Sequence, residues 1–366
     1  MPNIRIVGVG KKYKDVDALR DVSLEIKDQE YVSIIGPSGC GKSTLLKCIA
    51  GIIKQDSGQI FIGDREVTDL PPEERQLGYM FQEIALFPHM SGWDNVGYGP
   101  RVRGKDGELT RQFASQVMEM VRLKFGLRTY PDELSGGAKQ KTALARAIAA
   151  EPQLLLLDEP LGALDAHVRA ILRYELRRLV NELGLTAIHV THDQEEAMSI
   201  SDRLIIMKAG QVVEVGTPLE LYLSPKRLFT ANFLGEANFL QGSVEDCDPE
   251  HVTVSVNGWK ADSQGSGFTK GQRVILAVRP ESVILTPKPR AGQQWTGTVR
   301  DRILLGDCIR TEVELGNDLH LIAQTVNRGG QPLVSVGEHV QVDFTEGGLR
   351  AYQIPAHGLD VELALE

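Results

Sequence analysis

The sequence predicts an α/β domain with a helical insertion, followed by a small all-β barrel domain. Up to about Val215, short apolar runs alternate with helical stretches, the pattern of a central sheet covered by helices. After Gly235, short alternating runs are separated by Gly, Pro, Asn and Asp turns, as in an antiparallel barrel. The 366 residues suffice for two domains of about 150 residues each. We predict domains at residues 1–235 and 236–366.

Three apolar runs are the predicted central strands of the first domain. They are residues 31–35, 154–157 and 187–190, and each ends at a polar motif. Unbroken apolar runs of this length are typical of strands buried on both faces. Ligands of such sheets bind beyond the carboxyl ends of the strands. We therefore expect the three motifs to meet at one edge.

The helical insertion is predicted over about residues 88–150. Residues 112–123 have the spacing of an amphipathic helix. In the second domain, the predicted strands are residues 251–256, 273–278, 297–299, 310–315, 319–323 and 339–344. Two weakly similar segments, 274–285 and 340–354, are candidates for the two halves of one barrel.

Composition excludes several classes of protein. The 42% hydrophobic and 24% charged residues are ordinary for a globular protein. No run approaches the roughly 20 apolar residues of a membrane span, and the start lacks a signal-peptide core, so we expect a cytoplasmic chain. The net charge of −9 argues against a general nucleic-acid surface. The four cysteines form no C-x-x-C pair, so neither a zinc site nor a disulfide framework is predicted.

Residues 36–44 follow the first apolar run and lead into an apolar helix, with the pattern G-x-x-x-x-G-K-[ST]. The glycines let the backbone N–H groups curl inward around polyphosphate oxygens, at the start of a helix that also attracts anions. Lys42 is placed to reach the terminal phosphates, and Ser43 to hold Mg²⁺. The predicted phosphate ligands are Gly36, Pro37, Ser38, Gly39, Cys40, Gly41, Lys42, Ser43 and Thr44.

Polar residues beyond the other strands complete the predicted site. Asp158 ends a run of four leucines and is the expected Mg²⁺ partner opposite Ser43. Glu159 is placed to accept a proton from an attacking water. Gln82 can contact metal or water, although a glutamine after a strand is usually just solvated. His192 can hydrogen-bond a terminal phosphate, although a lone histidine is more often structural. The predicted catalytic residues are Glu159, His192, Gln82 and Lys42, and the predicted metal ligands are Ser43, Gln82 and Asp158.

Residues 134–140, Leu-Ser-Gly-Gly-Ala-Lys-Gln, resemble the signature motif of ABC-transporter ATPases. The family's other motifs follow its order along the chain, from the aromatic Tyr13 through the phosphate loop and Gln82 to the turn 162–165 and His192. The tail is similar to the OB-like (TOBE) regulatory domain of ATPases from binding-protein-dependent importers, through residues 233–240 and 278–281. The resemblance covers nearly the whole chain.

The resemblance implies ATP as cofactor and a head-to-tail homodimer, with ATP between the phosphate loop of one copy and the signature of the other. Ser135 and the amides of Gly136 and Gly137 would then cap the γ-phosphate; without a partner, this segment is a mere helix cap. Tyr13 would stack on adenine, and Asp165 would communicate across the dimer. Ala138 replaces the usual signature glutamine, and we expect activity to survive that change.

The resemblance also implies membrane partners: two permease subunits and, indirectly, a solute-binding protein. Residues 83–95 would receive a cytoplasmic helix of a permease, with this chain peripheral on the cytoplasmic face; alternatively, Phe87 and Pro88 only pack the insertion. The expected activity is ATP hydrolysis that drives import of an inorganic ion, a polyamine or a sugar.

Two other functions stay open from the sequence. One is a soluble ABC-type ATPase that acts on nucleic acid or ribosomes. It is disfavoured by the acidic charge, the single motif set and the importer-like tail. The other is a regulatory role for the tail, with Arg279, Pro280, Glu281 and residues 301–307 as candidate ligand contacts, although ordinary turns explain these residues as well.

Overall fold

The computed structural model describes residues 3–123, 129–162, 164–249, 251–287, 289, 295–316, 319–328 and 334–364. The chain divides into two compact units, Met1–Glu220 and Leu221–Leu365. The predicted first domain runs 15 residues past this division, to residue 235. The intervening residues include the helix Leu228–Phe233, whose Leu228 and Ala231 pack against Ile275 and Tyr352 of the second unit.

The strands of the first unit form two sheets. The smaller is antiparallel, in the order β2-β1-β4-β5; the larger has the order β10-β9-β3-β8-β7-β6 and is parallel except for β10. The strands are β1 (Ile4–Tyr13), β2 (Val16–Ile26), β3 (Tyr31–Ile35), β4 (Ser57–Ile62), β5 (Arg65–Glu66), β6 (Leu77–Met80), β7 (Leu154–Asp158), β8 (Thr186–Val190), β9 (Arg203–Lys208) and β10 (Gln211–Gly216).

The three predicted central strands are β3, β7 and β8, and every residue in them is buried. They are neighbours in the order β3-β8-β7, all parallel. Their carboxyl ends therefore lie side by side, as the apolar runs predicted.

Eight α-helices begin within the described residues of the first unit, and four of them, α2 to α5, lie in the predicted insertion. They are α1 (Lys42–Ala50), α2 (Gly92–Val96), α3 (Tyr98–Val102), α4 (Gly107–Met120), α5 (Gly136–Ala149), α6 (Ala166–Glu182), α7 (Gln194–Ile200) and α8 (Pro218–Leu223). The amphipathic helix predicted at 112–123 is α4, which begins five residues earlier because Asp106 caps the N–H groups of Glu108 and Leu109. Within the described ranges, no helix is both long and apolar enough to cross a bilayer.

The second unit adds helices α9 (Leu228–Phe233) and α10 (Leu359–Leu363) to two β-structures. A closed barrel has the order β11-β12-β13-β20-β14, and a further sheet the order β15-β19-β16-β17-β18. The strands are β11 (Asn238–Cys247), β12 (His251–Val256), β13 (Trp259–Gln264), β14 (Arg273–Val278), β15 (Val283–Pro287), β16 (Thr296–Leu304), β17 (Cys308–Gly316), β18 (Leu319–Val326), β19 (His339–Phe344) and β20 (Leu349–Gln353).

The suggestion that residues 274–285 and 340–354 are halves of one barrel is wrong. The two segments do pair, but β14 pairs with β20 in the barrel whereas β15 pairs with β19 in the further sheet. Alternating apolar residues fix which face of a strand is buried and leave its partner strand undetermined. The predicted fold class, an α/β nucleotide-binding fold with a helical insertion before an all-β barrel domain, is confirmed.

Arg279, a candidate ligand contact from the sequence, is a structural residue of the second unit. Its guanidinium donates hydrogen bonds to the main-chain carbonyls of Tyr222, Ala231 and Glu236. The side chain is 8% exposed and lies over the Tyr222 ring. It therefore fixes the helical segment before the barrel onto the end of β14.

Candidate functional site

The glycine loop joins β3 to α1 in a shape that requires glycine at two positions. Gly41 has a φ of 102°, and a Cβ there would lie 2.3 Å from the carbonyl oxygen of Ala18. A Cβ on Gly36 would lie 2.2 Å from the Met207 carbonyl oxygen. Side chains at these positions would collide with backbone, so the tight curl depends on glycine.

Lys42 begins α1 and holds the loop closed from inside. Its ammonium donates to the carbonyl oxygens of Gly36 and Pro37, both at 2.8 Å. The Cys40 thiol lies 3.8 Å from the same ammonium, and burial raises its pKa. Cys40 is therefore a neutral packing residue. The first N–H groups of α1 have no partner within the helix, which makes this end a good anion ligand.

Asp158, at the end of β7, meets the start of α1. The Ser43 hydroxyl donates to Asp158 Oδ1 at 2.8 Å, and the Tyr79 hydroxyl donates to Oδ2 at 3.3 Å. Burial and the adjacent Asp158 carboxylate raise the pKa of Tyr79 well above its usual range, so the phenol stays a donor. A carboxylate beside a hydroxyl is an oxygen donor set that fits Mg²⁺, which prefers one or two carboxylates and otherwise keeps its waters.

Glu159, Gln82 and His192 come together beside this pair. Gln82 Nε2 donates to Glu159 Oε2 at 2.9 Å, and His192 Nδ1 lies 3.4 Å from the same oxygen. Glu159 has a φ of 48°, a left-handed conformation that is costly for a non-glycine residue, and its N–H donates to the Val190 carbonyl. Neighbouring strands β7 and β8 thus hold the carboxylate in a fixed place.

These residues surround a cavity of about 260 Å³ at the carboxyl edge of the larger sheet. Its lining combines the glycine loop with the ends of β7 and β8. The lining residues are Ala18, Ser38, Gly39, Gly41, Lys42, Ser43, Thr44, Glu159 and His192. Six of the nine predicted loop residues therefore share one cavity with Glu159 and His192, and Gly36, Pro37 and Cys40 lie outside its lining. Asp158 and Gln82 reach it through Ser43 and Glu159.

Other predicted nucleotide ligands lie outside this cavity lining. Ser135 is exposed and caps α5 by accepting from the Ala138 N–H, followed by the exposed Gly136 and the half-buried Gly137. Asp165 caps α6 by accepting from Val168 N–H. Tyr13 is 43% exposed at the end of β1. In the predicted turn 162–165, Ala163 lies outside the described residues.

Lys141, on α5 directly after the signature segment, makes a single-point contact. Its ammonium lies 3.6 Å from Glu175 Oε2, while Arg122 lies 3.1 Å from Oε1 of the same buried carboxylate. A lysine ammonium cannot form the bidentate contact that an arginine guanidinium makes with a carboxylate. Lys141 therefore has a role in packing α5 against α6.

The segment 83–95 is held by a buried asparagine. Asn95 accepts from the Phe87 N–H and donates to the carbonyls of Phe87, Met90 and Ser91. The Phe87 ring packs between Tyr98 and the Arg146 guanidinium, whereas Pro88 is exposed. Phe87 thus supports the insertion, as the simpler interpretation held, and leaves an ordered exposed loop beside it.

Tyr79 is the member of the site that sequence reasoning missed. Its side chain reaches Asp158 because β6 and β7 are parallel neighbours, with Tyr79 in register with Leu156. The sequence contains a tyrosine three residues before Gln82 and gives no sign of which strand lies beside it. Only the strand order shows the contact.

Comparisons with known proteins agree with this geometry. The model of the family described as ABC transporter matches residues 19–162, and that of the TOBE domain matches residues 276–351. The spermidine/putrescine import ATP-binding protein PotA of Marinobacter nauticus is 39% identical over 92% of this chain and 91% of its own. The Fe(3+) ions import ATP-binding protein FbpC 1 of Rhizobium meliloti is 40% identical over 93% of this chain and 94% of its own.

Solved structures also match the first part of the chain. The bacterial ABC transporter cassette MJ0796, in a dimeric structure, is 34% identical with a TM-score of 0.55, over 59% of this chain and 98% of its own. The same cassette in a post-hydrolysis state with ADP and Pi has 33% identity and a TM-score of 0.54 over the same shares. As its motif series predicted, the chain belongs to the import ATP-binding proteins of ABC transporters, which bind and hydrolyse ATP to drive solute import, and it carries a TOBE domain.

Proposed function

We propose that this chain is the motor of a binding-protein-dependent importer, at the cytoplasmic face of a membrane, where a homodimer binds two permease subunits. One observation carries the proposal. The glycine loop, Glu159 and His192 line one cavity, whereas the signature residues Ser135 and Gly136 are exposed elsewhere, at the start of α5. A signature facing solvent is available to a second copy of the chain.

Each residue of the site has a role that its contacts support. Ser43 and Asp158, with Gln82, would hold Mg²⁺, which would supply positive charge against the terminal phosphates. Lys42 exchanges its loop carbonyls for phosphate oxygens. Glu159 takes a proton from the attacking water, and His192 donates to the terminal phosphate.

The second copy completes the nucleotide shell. Ser135 and the amides of Gly136 and Gly137 approach the terminal phosphate from that copy, as donors at a helix start suit an anion. Asp165 faces the same interface, and Tyr13 stacks on the adenine from the first copy. The likeness to MJ0796, which has a dimeric structure, supports this arrangement.

The membrane partner contacts residues 83–95, beside Gln82, where Glu83, Ala85, Pro88 and His89 are exposed. Closing of the dimer then moves the permease, because Gln82 also contacts the catalytic Glu159. We propose that residues 1–235 act as the motor and residues 236–366 as the regulatory domain. The solute is a polyamine or an inorganic cation, since relatives similar over nine-tenths of the chain are named for spermidine/putrescine and Fe(3+) import. Contact with the solute-binding protein is indirect, through the permease.

The catalytic assignment is tested with Glu159→Gln. The amide keeps the shape of the side chain and cannot accept the proton, so turnover should fall by about 10²–10⁴-fold while ATP binding persists. ATP should then trap a stable dimer, measured by size exclusion. Glu182→Gln, on the exposed end of α6, is the matched control. A Glu159→Gln protein that keeps most of its hydrolysis rate would remove Glu159 from this role.

The transport assignment is tested by co-purification. The tagged chain should assemble with the permease encoded beside its gene. Assembly with RNA or ribosomes alone would instead favour the soluble-ATPase alternative, which its net charge of −9 argues against.

A further inference from the structure

Three arginines on α6 form a ladder along one face of the helix. Positions 169, 173 and 177 are four residues apart, which places them one above another. Each pairs with an acidic residue in the segment that follows β8. The ladder arginines are Arg169, Arg173 and Arg177, and their partners are Asp193, Glu195 and Asp202.

The first pair of the ladder, Arg169 with Asp193, joins the turn that contains Asp165 to the turn that contains His192. Arg169 donates through one nitrogen to Asp193 Oδ2 at 3.1 Å and through the other to the Leu164 carbonyl at 3.0 Å. Leu164 directly precedes Asp165, and Asp193 directly follows His192. One guanidinium therefore ties the turn before α6 to the turn that carries His192.

The His192 turn is itself built on Asp193. The Asp193 N–H donates to Thr191 Oγ1 at 3.0 Å, and Asp193 Oδ1 accepts from the Glu196 N–H at 2.9 Å. The buried Glu196 carboxylate accepts from the Thr191 hydroxyl at 3.1 Å. Thr191 and Asp193 are thus fixed on either side of the exposed imidazole, so a displacement of Asp193 moves His192.

The last rung anchors the ladder to the strand that feeds the phosphate loop. Arg177 contacts both oxygens of Asp202, at 2.6 and 3.0 Å, and Asp202 Oδ2 also accepts from the Tyr31 N–H at 2.9 Å. Tyr31 is the first residue of β3. The middle rung is weaker because Glu195 is 83% exposed. The ladder therefore holds α6 near its start, at Arg169, and two-thirds of the way along it, at Arg177.

We propose that the ladder couples the Asp165 turn to His192, with Arg169 and Asp193 as positioning residues for ATP hydrolysis. The inference rests on the proposed function, in which Asp165 faces the second copy and His192 meets the terminal phosphate. A partner copy that presses on the Asp165 turn displaces the Leu164 carbonyl. Arg169 passes that displacement to Asp193, and His192 comes into line only when the dimer is closed.

The test compares Arg169→Met and Asp193→Asn with the control Arg178→Met. Methionine keeps helix propensity, and asparagine keeps the cap on α7 while it removes the charge. Arg178 lies on the same helix, half exposed, in a pair with Glu182. In the full chain with ATP and Mg²⁺, the rate of amide hydrogen exchange over residues 192–197 should rise about tenfold in both test variants. This is the loss of protection expected when one charged hydrogen bond is removed. It should not change in Arg178→Met.

Hydrolysis supplies a second readout. The kcat should fall about tenfold with KM for ATP nearly unchanged, because only the alignment of His192 is lost. The double variant Arg169→Met with Asp193→Asn should match the single variants, as both act through one contact. Exchange and kcat equal to those of Arg178→Met would overturn the proposal. If Arg169→Met fails to fold, Asp193→Asn decides by itself.

A His192→Ala arm separates this inference from the proposed function. If His192→Ala hydrolyses ATP normally, His192 has no essential contact with the terminal phosphate. The amide exchange of the Arg169 and Asp193 variants still decides whether the ladder orders the His192 turn. If His192→Ala is inactive but the Arg169 and Asp193 variants behave as the control, the ladder is overturned and the proposed function stands.

Discussion

The hydroxyl of Ser43 donates a 2.8 Å hydrogen bond to Oδ1 of Asp158. This contact joins the first turn of α1 to the end of β7, across 115 positions of sequence. It brings two oxygen donors suited to Mg²⁺ together, and Tyr79 holds the other carboxylate oxygen. Contacts within the protein therefore fix both donors of the proposed Mg²⁺ site, which lowers the cost of ordering them on binding.

Asp158→Asn should raise the Mg²⁺ concentration that gives half-maximal hydrolysis by about 10–100-fold, the range for residues that orient a metal's ligands. The amide keeps an acceptor for Ser43 and loses the charge. Tyr79→Phe removes one donor and leaves the carboxylate, so its shift should be smaller. Hydrolysis measured against Mg²⁺ concentration checks both variants. Asp69→Asn, an exposed acid paired with Lys54, is the control, and a Mg²⁺ dependence equal to this control would contradict the assignment.

The phosphate loop and the three buried strands could be predicted from the sequence because their signals are local. Residues 31–44 contain a complete strand, turn and helix start, so the local sequence is enough to predict the loop. The contact between Tyr79 and Asp158 was not predictable, since it depends on β6 lying beside β7. The arginine ladder is likewise predictable only in part. The sequence shows the four-residue spacing of the arginines but does not show which acidic residues pair with them.

Gly41→Ala should destabilise the protein more than Gly39→Ala does. Both glycines have positive φ, which costs alanine about 1–2 kcal/mol. A Cβ at Gly39 meets open space, whereas at Gly41 it meets the Ala18 carbonyl oxygen at 2.3 Å. The loop must shift to relieve this clash, so ATP binding should also be lost. Urea unfolding and binding of a fluorescent ATP analogue measure the two effects; equal unfolding midpoints for the two variants would show that the loop yields freely.

The second unit marks the other limit of sequence reasoning. Several predicted strands, including His251–Val256 and Arg273–Val278, have the predicted bounds. Their division between a barrel and a further sheet was missed, because side-chain alternation reports burial and carries no information about which strands pair.

Asp202→Asn should lower stability at neutral pH and have little effect in acid. Burial opposes ionisation of Asp202, but hydrogen bonds from Arg177 and the Tyr31 N–H outweigh it and lower its pKa. Because the pKa of Asp202 is lowered in the folded state, its ionised carboxylate stabilises the folded protein at pH values above the unfolded-state pKa of about 3.9. That stabilisation is lost as the pH falls through the folded-state pKa. Urea unfolding midpoints of wild type and variant should therefore differ at pH 7, begin to approach each other below about pH 4, and converge once the pH is below the folded-state pKa. A difference that stays constant with pH would assign the effect to packing instead of charge.

Arg279→Lys should destabilise the second unit by about 2–4 kcal/mol, because a lysine cannot serve the carbonyls of Tyr222, Ala231 and Glu236 together and leaves buried acceptors unpaired. Arg273→Lys is the matched control, since Arg273 lies at the surface, begins β14, the strand that Arg279 follows, and bonds Gln241. Urea unfolding followed by the fluorescence of Trp259 and Trp295, which pack together in this unit, reports the change. If Arg279 were a ligand contact, Arg279→Lys would unfold like Arg273→Lys and alter only regulation of transport. The three carbonyl contacts lead us to expect the opposite result, a loss of stability that appears with or without the permease.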